Sequence, residues 1–418
     1  MQQLDYHIPV DQTNLCITEN GVYELLKNIK SGKAGGPDCI SGISLKTFAK
    51  PISKPLTRLF QYSISKGQLL KVWKHARVIP IYKKGSKHDP ANYRPVSLTC
   101  ICCKLLEHII HSHISAQLDQ LNILTDVQHG FRAKRSCETQ LVCTIDDVAK
   151  NLERGRESDV IILDFSKAFD CVNHRKLLHK LSSYGINKQI LKWIKSFLES
   201  RTQVVVVENS ESEIIQVTSG VPQGSVLGPL LFLHYINDLP ESVKSQCKLF
   251  ADDALLYNDV TNRIIVQDDL DGLQCWADNW QMVFNPKKCY HLTIGKNVSP
   301  RNTFYLCGEK LEVVKSNPYL GIEFQHDLKW DSHIKNINAK ARQLLGMTRR
   351  VLRDADENTR KIAYTTLVRP SLEYGCMAWD PFFKKQGYAR AYTKSSAPFH
   401  IQHKGANKFH RIKSRKRF

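Results

Sequence analysis

The run DVIILDF, residues 159–165, constrains the architecture more than any other stretch of this chain. Its branched apolar core, Val160 to Leu163, is a continuous apolar run of strand length, so it reads as a strand that enters the core. It ends in Asp164, which fixes a carboxylate at the rim of that core. A second stretch, KLFADDALLYN (248–258), reads as strand, two-aspartate turn, strand, with Asp252 and Asp253 at its tip. Alone, that pair is an ordinary solvated turn. If the two stretches are sheet neighbours, three acids converge on one edge. Carboxylates beside an apolar core are costly unless a cation holds them. Hard oxygen ligands suit Mg²⁺, which keeps positions for phosphate oxygens. Two such ions, roughly 3.5–4 Å apart, clamp the attacking and leaving oxygens of phosphoryl transfer. The acids therefore point to a metal-dependent polymerase or nuclease.

Charge bears on the partner. The formal net charge is +20, and 381–418 supplies eleven Lys or Arg with no Asp or Glu, leaving +20 − 11 = +9 for the rest. A surplus of this sign attracts polyanions, of which nucleic acid is the commonest large one. The tail is acid-free and poorly periodic and reads as a disordered arm; its KSRKR cluster suits a nuclear signal or non-specific nucleic-acid affinity. Thirteen cysteines lack the paired knuckle spacing of zinc sites, so reduced structural thiols are expected. No signal peptide and no apolar run of about 18–20 residues is present, so the expectation is a soluble intracellular protein, cytoplasmic or nuclear, with no membrane partner.

The remaining pattern is mixed. Helices are expected at 19–30, 55–70, 103–120, 138–152 and 267–283, and over most of 332–376. RVIPIYKKG and NYRPVSLT read as two strands joined by a basic tip. NHRKLLHKLSSYG reads as a helix capped by Asn173 and stopped by Gly185, and GPLLFLHYINDL as one with Pro229 in its first turn. TQVVVVENS and SEIIQVTSG are β-rich. Strands and helices interleaved in this irregular order indicate an α+β fold.

LDFSKAFDCVNH, SGVPQGSVLGPLLFLHYINDLP and FADDALLY, in that order, resemble the palm motifs of reverse transcriptases. The KAFD and FADD forms and the long first spacer are similar to the non-LTR (LINE-type) retrotransposon branch. GKAGGPDCISGISLK, QHGFRAKRSCETQL, WQMVFNPKKCYHL and NPYLGIEFQHDLKW extend the resemblance over about residues 20–380. The resemblance implies a right-hand polymerase with an antiparallel palm sheet. Fingers and N-terminal region are expected at 20–150 after an extension at 1–19, palm at 151–325 (polymerase core about 63–325), helical thumb at 326–380 and basic tail at 381–418. The implied activity is RNA-directed DNA synthesis, a nucleotidyl transfer using Mg²⁺ (or Mn²⁺), an RNA template, a DNA primer and dNTPs.

The same resemblance assigns residues. Asp164, Asp252 and Asp253 match the metal-binding triad, and the backbone carbonyl of Phe165 an additional metal contact. Phe169 falls where the family places an aromatic gate against a ribose 2′-hydroxyl; otherwise it is a core aromatic. Gly220–Gly224, with Gln223 and Gly224, matches the loop beside the incoming nucleotide. Lys83 and Arg94 match triphosphate-gripping residues, and Lys288, with Lys287 beside it, the general acid for pyrophosphate departure. Tyr319-Leu320-Gly321 matches the primer-grip turn. Asp170 and His174 also match family positions but read as supports for the helix that follows them. The usual endonuclease domain is expected to be absent and the C-terminus truncated. A catalytically inactive, nucleic-acid-binding remnant is the alternative reading. The FADD form and GVPQGSVLGPLLF argue against a telomerase-like or intron-type polymerase.

Overall fold

The computed structural model describes residues 15–32, 34–208, 210–295 and 302–379; the basic tail and the extreme N-terminus lie outside these. α1 (Glu19–Lys27) starts where the Thr18 hydroxyl accepts from Gly21 N, and α2 (Gly42–Thr47) is capped by Ser41. α3 (Ala49–Lys66) ends on left-handed Gly67. It begins well before residue 55, because Pro51 sits in the first turn where no intrahelical N–H is required; Pro55 is accommodated inside. β1 (His75–Tyr82) and β2 (Tyr93–Leu98) are the two expected strands, and they pair antiparallel, in register from Arg77–Leu98 to Tyr82–Tyr93. α4 (Ile101–Gln120) and α5 (Cys137–Glu153) follow, and then the wholly buried β3 (Ser158–Leu163). Asn173 caps α6 (His174–Ser183) by accepting from Lys176 N. α7 (Lys188–Leu198), β4 (Arg201–Val207), β5 (Ser210–Glu211), β6 (Ile215–Val217) and α8 (Leu227–Tyr235) come next.

β7 (Gln246–Phe250) and β8 (Asp253–Asp259) are antiparallel, with Phe250 opposite Asp253 across the turn. α9 (Arg263–Trp280) stops at left-handed Gln281, short of the expected 283. β9 (Tyr290–Ile294), β10 (Tyr305–Leu306), β11 (Glu309–Lys310), β12 (Glu312–Val313), β13 (Ser316–Tyr319) and β14 (Ile322–Gln325) precede three helices. These are α10 (Asp331–Val351), α11 (Glu357–Ala363) and α12 (Arg369–Glu373), the last two joined by a π turn over Tyr364–Val368. The fold is α+β.

Two compact units divide the described chain. The first holds the residues up to 136, 159–291 and 302–313; the second holds 137–158, 292–295 and 314–379. These cuts differ from the expected ranges: α5 and the β13–β14 hairpin group with α10–α12. The first unit contains one sheet ordered β2-β1-β4-β5, with β6 also on β4, and most of a second ordered β12-β9-β3-β8-β7, of which Ser158 and Leu292–Ile294 fall in the second unit. The second sheet is not purely antiparallel as expected: β12 runs parallel to β9, since the intervening chain is long enough to return to the starting edge. One contiguous core fills this unit, with Phe60, Leu106, Trp193, Phe197, Phe232 and Tyr235 among its buried members. The second unit is held by a small cluster, Ala341, Leu345, Val368 and Leu372. Among the described residues, no helix is long and apolar enough to cross a membrane.

Candidate active site

β3 and β8 are neighbours, so the residues at their ends meet at one rim. Asp164 follows β3 and is fixed by its backbone: its N–H reaches Cys289 Sγ at 3.3 Å and its carbonyl accepts from Asn285 N at 2.8 Å. Ser166 N donates to Val283 O. Phe165 therefore occupies the non-hydrogen-bonded position opposite Phe284, and its own carbonyl is directed away from that partner. Its ring stacks on Phe284 with centroids 4.3 Å apart, which anchors the segment in the core.

Ala251 and Asp252 form the β7–β8 turn, with Ala251 in the left-handed region at φ 52°. A clamp that the sequence did not advertise holds this turn. Gln128 Oε1 accepts from both Ala251 N (2.9 Å) and Gly130 N (2.7 Å), while His129 N donates to Leu249 O. A Cβ on Gly130 would lie 2.3 Å from Ala251 N, so only glycine permits the approach. Gln128 is 2% exposed, and nothing local in the sequence pairs it with a turn more than a hundred residues away.

The three carboxylates feel one another. Burial pushes the Asp252 carboxyl up, the Asp164 charge adds to this, and Lys83 and Arg94 oppose it. Asp253 opens to solvent at the surface, yet the surrounding protein pushes it up to about 6, with the charges of Asp252 and Asp164 adding and that of Lys83 opposing. Lys288 Nζ lies 3.5 Å from Asp164 Oδ2, whereas no such ion pair involves Lys287 among the described residues. Among the described residues, no three His, Cys, Asp or Glu side chains form a metal cage by themselves. Asp252 lies in the turn and Asp253 opens β8, so the two adjacent acids stand together at the tip of the hairpin. A partial donor set still fits Mg²⁺, which binds through one or two carboxylates and completes its shell with water and substrate phosphates. The carboxyls pushed upward by crowding and mutual charge are groups that a cation would relieve.

The glycine loop stands on the same unit. Phe169, half-buried, stacks on Phe232 at 4.3 Å and meets the exposed Phe131 edge-on at 6.5 Å. Its carbonyl accepts from Val221 N. Gly220 packs against the Asp170 backbone and Gly224 against Ser97 O, each at φ above 80°, so side chains are excluded at both. Gln223 Nε2 donates to Asp170 Oδ1 at 3.1 Å, and His174 Nε2 lies 2.7 Å from Gly220 O. Both residues expected to support α6 thus face the loop instead, and Asn173 alone supplies the side-chain cap.

Glu107 is a second residue that sequence reasoning passed over. It is fully buried and its Oε2 accepts from Val226 N (2.7 Å) and Leu227 N (3.1 Å), at the start of α8 just past the loop. Burial pushes its carboxyl up; the two N–H groups and Arg201 pull the other way. The signal was available: an acid on the apolar stripe of KLLEHII has to find donors inside.

In the second unit, Leu320 (φ 45°) and Gly321 (φ 83°) make a two-residue turn between β13 and β14, the left-handed pair that suits strand twist. Tyr319 is buried and its hydroxyl accepts from Gln140 Nε2; Tyr374 OH donates to Leu320 O at 2.9 Å.

With this geometry in place, comparison with known proteins is informative. The family described as Reverse transcriptase (RNA-dependent DNA polymerase) matches residues 81–324. The chain is similar to the RNA-directed DNA polymerase from mobile element jockey of Drosophila melanogaster, 28% identical over 381 residues, covering 87% of this chain and 41% of that protein. It is also similar to the probable RNA-directed DNA polymerase from transposon BS of the same fly, 29% identical over 86% of this chain and 41% of that protein. A third relative is the putative 115 kDa protein in type-1 retrotransposable element R1DM, 27% identical over 84% of this chain and 35% of that protein. The chain thus spans about two-fifths of the length of the first two of these relatives.

Proposed function

The chain belongs to the reverse transcriptase family, and on that premise we propose that it is the RNA-directed DNA polymerase of a non-LTR retrotransposon, adding dNTPs to a DNA primer on an RNA template. The observation that carries this reading is the rim itself: Asp164, Asp252 and Asp253 interact through their charges beside the cations Lys83 and Arg94. In this reading Asp164, Asp252, Asp253 and the carbonyl of Phe165 hold the divalent metal. Bound there, Mg²⁺ or Mn²⁺ supplies a Lewis acid for the primer 3′-hydroxyl and the triphosphate oxygens. Arg94 grips a phosphate through paired N–H groups, and Lys83 acts as a point charge. Lys288, held near Asp164, gives a proton to the departing pyrophosphate. The Phe169 ring, backed by Phe232, fills the space a ribose 2′-hydroxyl needs. Gln223 and Gly224 line the nucleotide's path, and the Tyr319–Gly321 turn steadies the primer end.

On this reading the first unit supplies fingers and palm, the helices of the second supply a thumb, and the protein acts where RNA and dNTPs occur together, in cytoplasm or nucleus. The test is primer extension by the full chain on poly(rA)·oligo(dT). Extension that requires Mg²⁺ or Mn²⁺, stops on chelation, and favours dNTPs over rNTPs is expected. Extension indifferent to chelation overturns the assignment.

A further inference from the structure

The longest acid-free stretch of the described chain is folded, and only Lys83, near its end, acts on the rim acids through its charge. Between Asp38 and Asp89 there is no Asp or Glu, and between Asp170 and Glu199 there is none either. These two stretches contain α3 and α7, and the helices pack on each other. Gln189 Nε2 donates to the carbonyls of Ile64 and Ser65, Trp193 Nε1 donates to Ser63 Oγ, and Leu69 N donates to Ser196 Oγ. A Cβ on Gly67 would lie 2.7 Å from Lys192 Cβ, so the two backbones approach closely at this crossing.

Each helix buries its apolar side and turns its cations outward. In α3, Lys50, Lys54, Arg58 and Lys66 are exposed on one face at four- and eight-residue spacing. In α7, Lys188, Lys192 and Lys195 do the same, opposite the buried Ile190, Trp193 and Phe197. Lys66 and Lys192 flank the crossing, so the two faces join into one strip. Only Lys195 has a carboxylate within salt-bridge reach among the described residues, at 3.9 Å from Glu199. An aromatic stands among the charges: Tyr62 is 62% exposed, on the same face, with Lys66 Nζ 5.8 Å from its ring centre.

We propose that this α3–α7 strip is a docking surface for the single-stranded RNA of the template, held through its phosphates without reading its sequence. Like charges left unpaired over such a length lower the stability of the isolated fold, and a polyanion relieves them while releasing its own counterions. An exposed ring among cations favours an unpaired strand over a duplex, because only unpaired bases can stack on it. The inference rests on the polymerase reading for the identity of the strand, and on the strip alone for its chemistry.

The test compares the full chain with Lys54→Gln/Arg58→Gln/Lys192→Gln, using a primer–template with a long single-stranded RNA overhang, one with no overhang, and a DNA duplex. Each lost phosphate contact lowers the slope of log affinity against log salt by about 0.7 on a single strand. The triple variant should therefore lose about 2 from that slope on the overhang substrate, and bind it at least about tenfold more weakly at low salt. Binding and extension of the substrate without overhang should be unchanged, and Lys54→Arg/Lys192→Arg should behave as the parent. Tyr62→Ala should weaken overhang binding without altering the slope. An unchanged slope in a triple variant whose circular dichroism and melting match the parent overturns the proposal, as does a loss confined to the duplex. If the parent extends no primer while the slopes still differ, the polymerase reading fails and the strip stands.

Discussion

Two sets of charges in the first unit have opposite fates. Lys180 is buried inside, with Nζ 2.7 Å from Asp238 Oδ1, 2.6 Å from Tyr235 O and 3.4 Å from the centre of the Trp280 ring. Asp238 accepts in addition from Trp276 Nε1 at 2.9 Å. Burial pushes the Lys180 ammonium down to about 8, Asp238 pulls the other way, and it stays charged at neutral pH. Here every charge finds its partner within the protein. At the rim, Asp252 and Asp253 are crowded by one another and by Asp164, and the opposing cations, Lys83 and Arg94, stand on the surface. A charge satisfied by its own chain is part of the scaffold; one left short marks where something from outside belongs.

The contrast can be broken by mutation. Lys180→Ala strands Asp238 in a largely buried place and should cost about 3–5 kcal/mol of stability, measured by urea denaturation. A cost under about 1 kcal/mol would place Lys180 among the dispensable surface charges and dissolve the distinction. His234 sharpens the same point. It is fully buried, neither ring nitrogen has a hydrogen-bond partner among the described residues, and burial holds its pKa down at about 3, with the charges of His111 and Lys180 adding. The unfolded chain takes up that proton near pH 6.5, the folded chain only near 3. The stability is therefore complete above about 6.5 and is lost as pH falls through that window, by about 2 kcal/mol at pH 5. His234→Leu should flatten this acid limb in melting curves taken from pH 7 to 5; an unchanged limb would assign it to other groups. The smallest effect concerns Glu107. Glu107→Gln keeps an acceptor but removes the charge facing the start of α8, and should cost about 1 kcal/mol. If nucleotide KM rises with no loss of stability, the residue acts on the loop rather than on the fold.

What the sequence disclosed follows the range of the forces involved. The β3 run, the β7–β8 hairpin and the Asn173 cap depend on neighbours a few residues away, and periodicity or spacing exposes them. Local signals misplaced the start of α3, because prolines at 51 and 55 look like breakers until their helical positions are known. The grouping of α5 with the later helices was not legible, since it depends on packing between distant segments. Gln128 and Glu107 were missed for the same reason. Their partners lie 123 and 119 residues away, and a polar residue on its own reveals a need for a partner without saying which. For the rim, the residue types were readable at once, whereas the pairing of β3 with β8 that brings Asp164 to the hairpin tip depends on packing between distant segments.

The central claim is that the rim acids perform chemistry and do not hold the fold together. Asp252→Asn decides it in one sample: template binding, melting temperature and single-turnover primer extension measured together on the purified full chain. The account predicts that extension falls to background, that binding stays within about twofold because Lys and Arg supply it, and that melting holds or rises as a crowded charge is removed. Extension equal to that of the parent, or loss of activity only in step with unfolding, would contradict it.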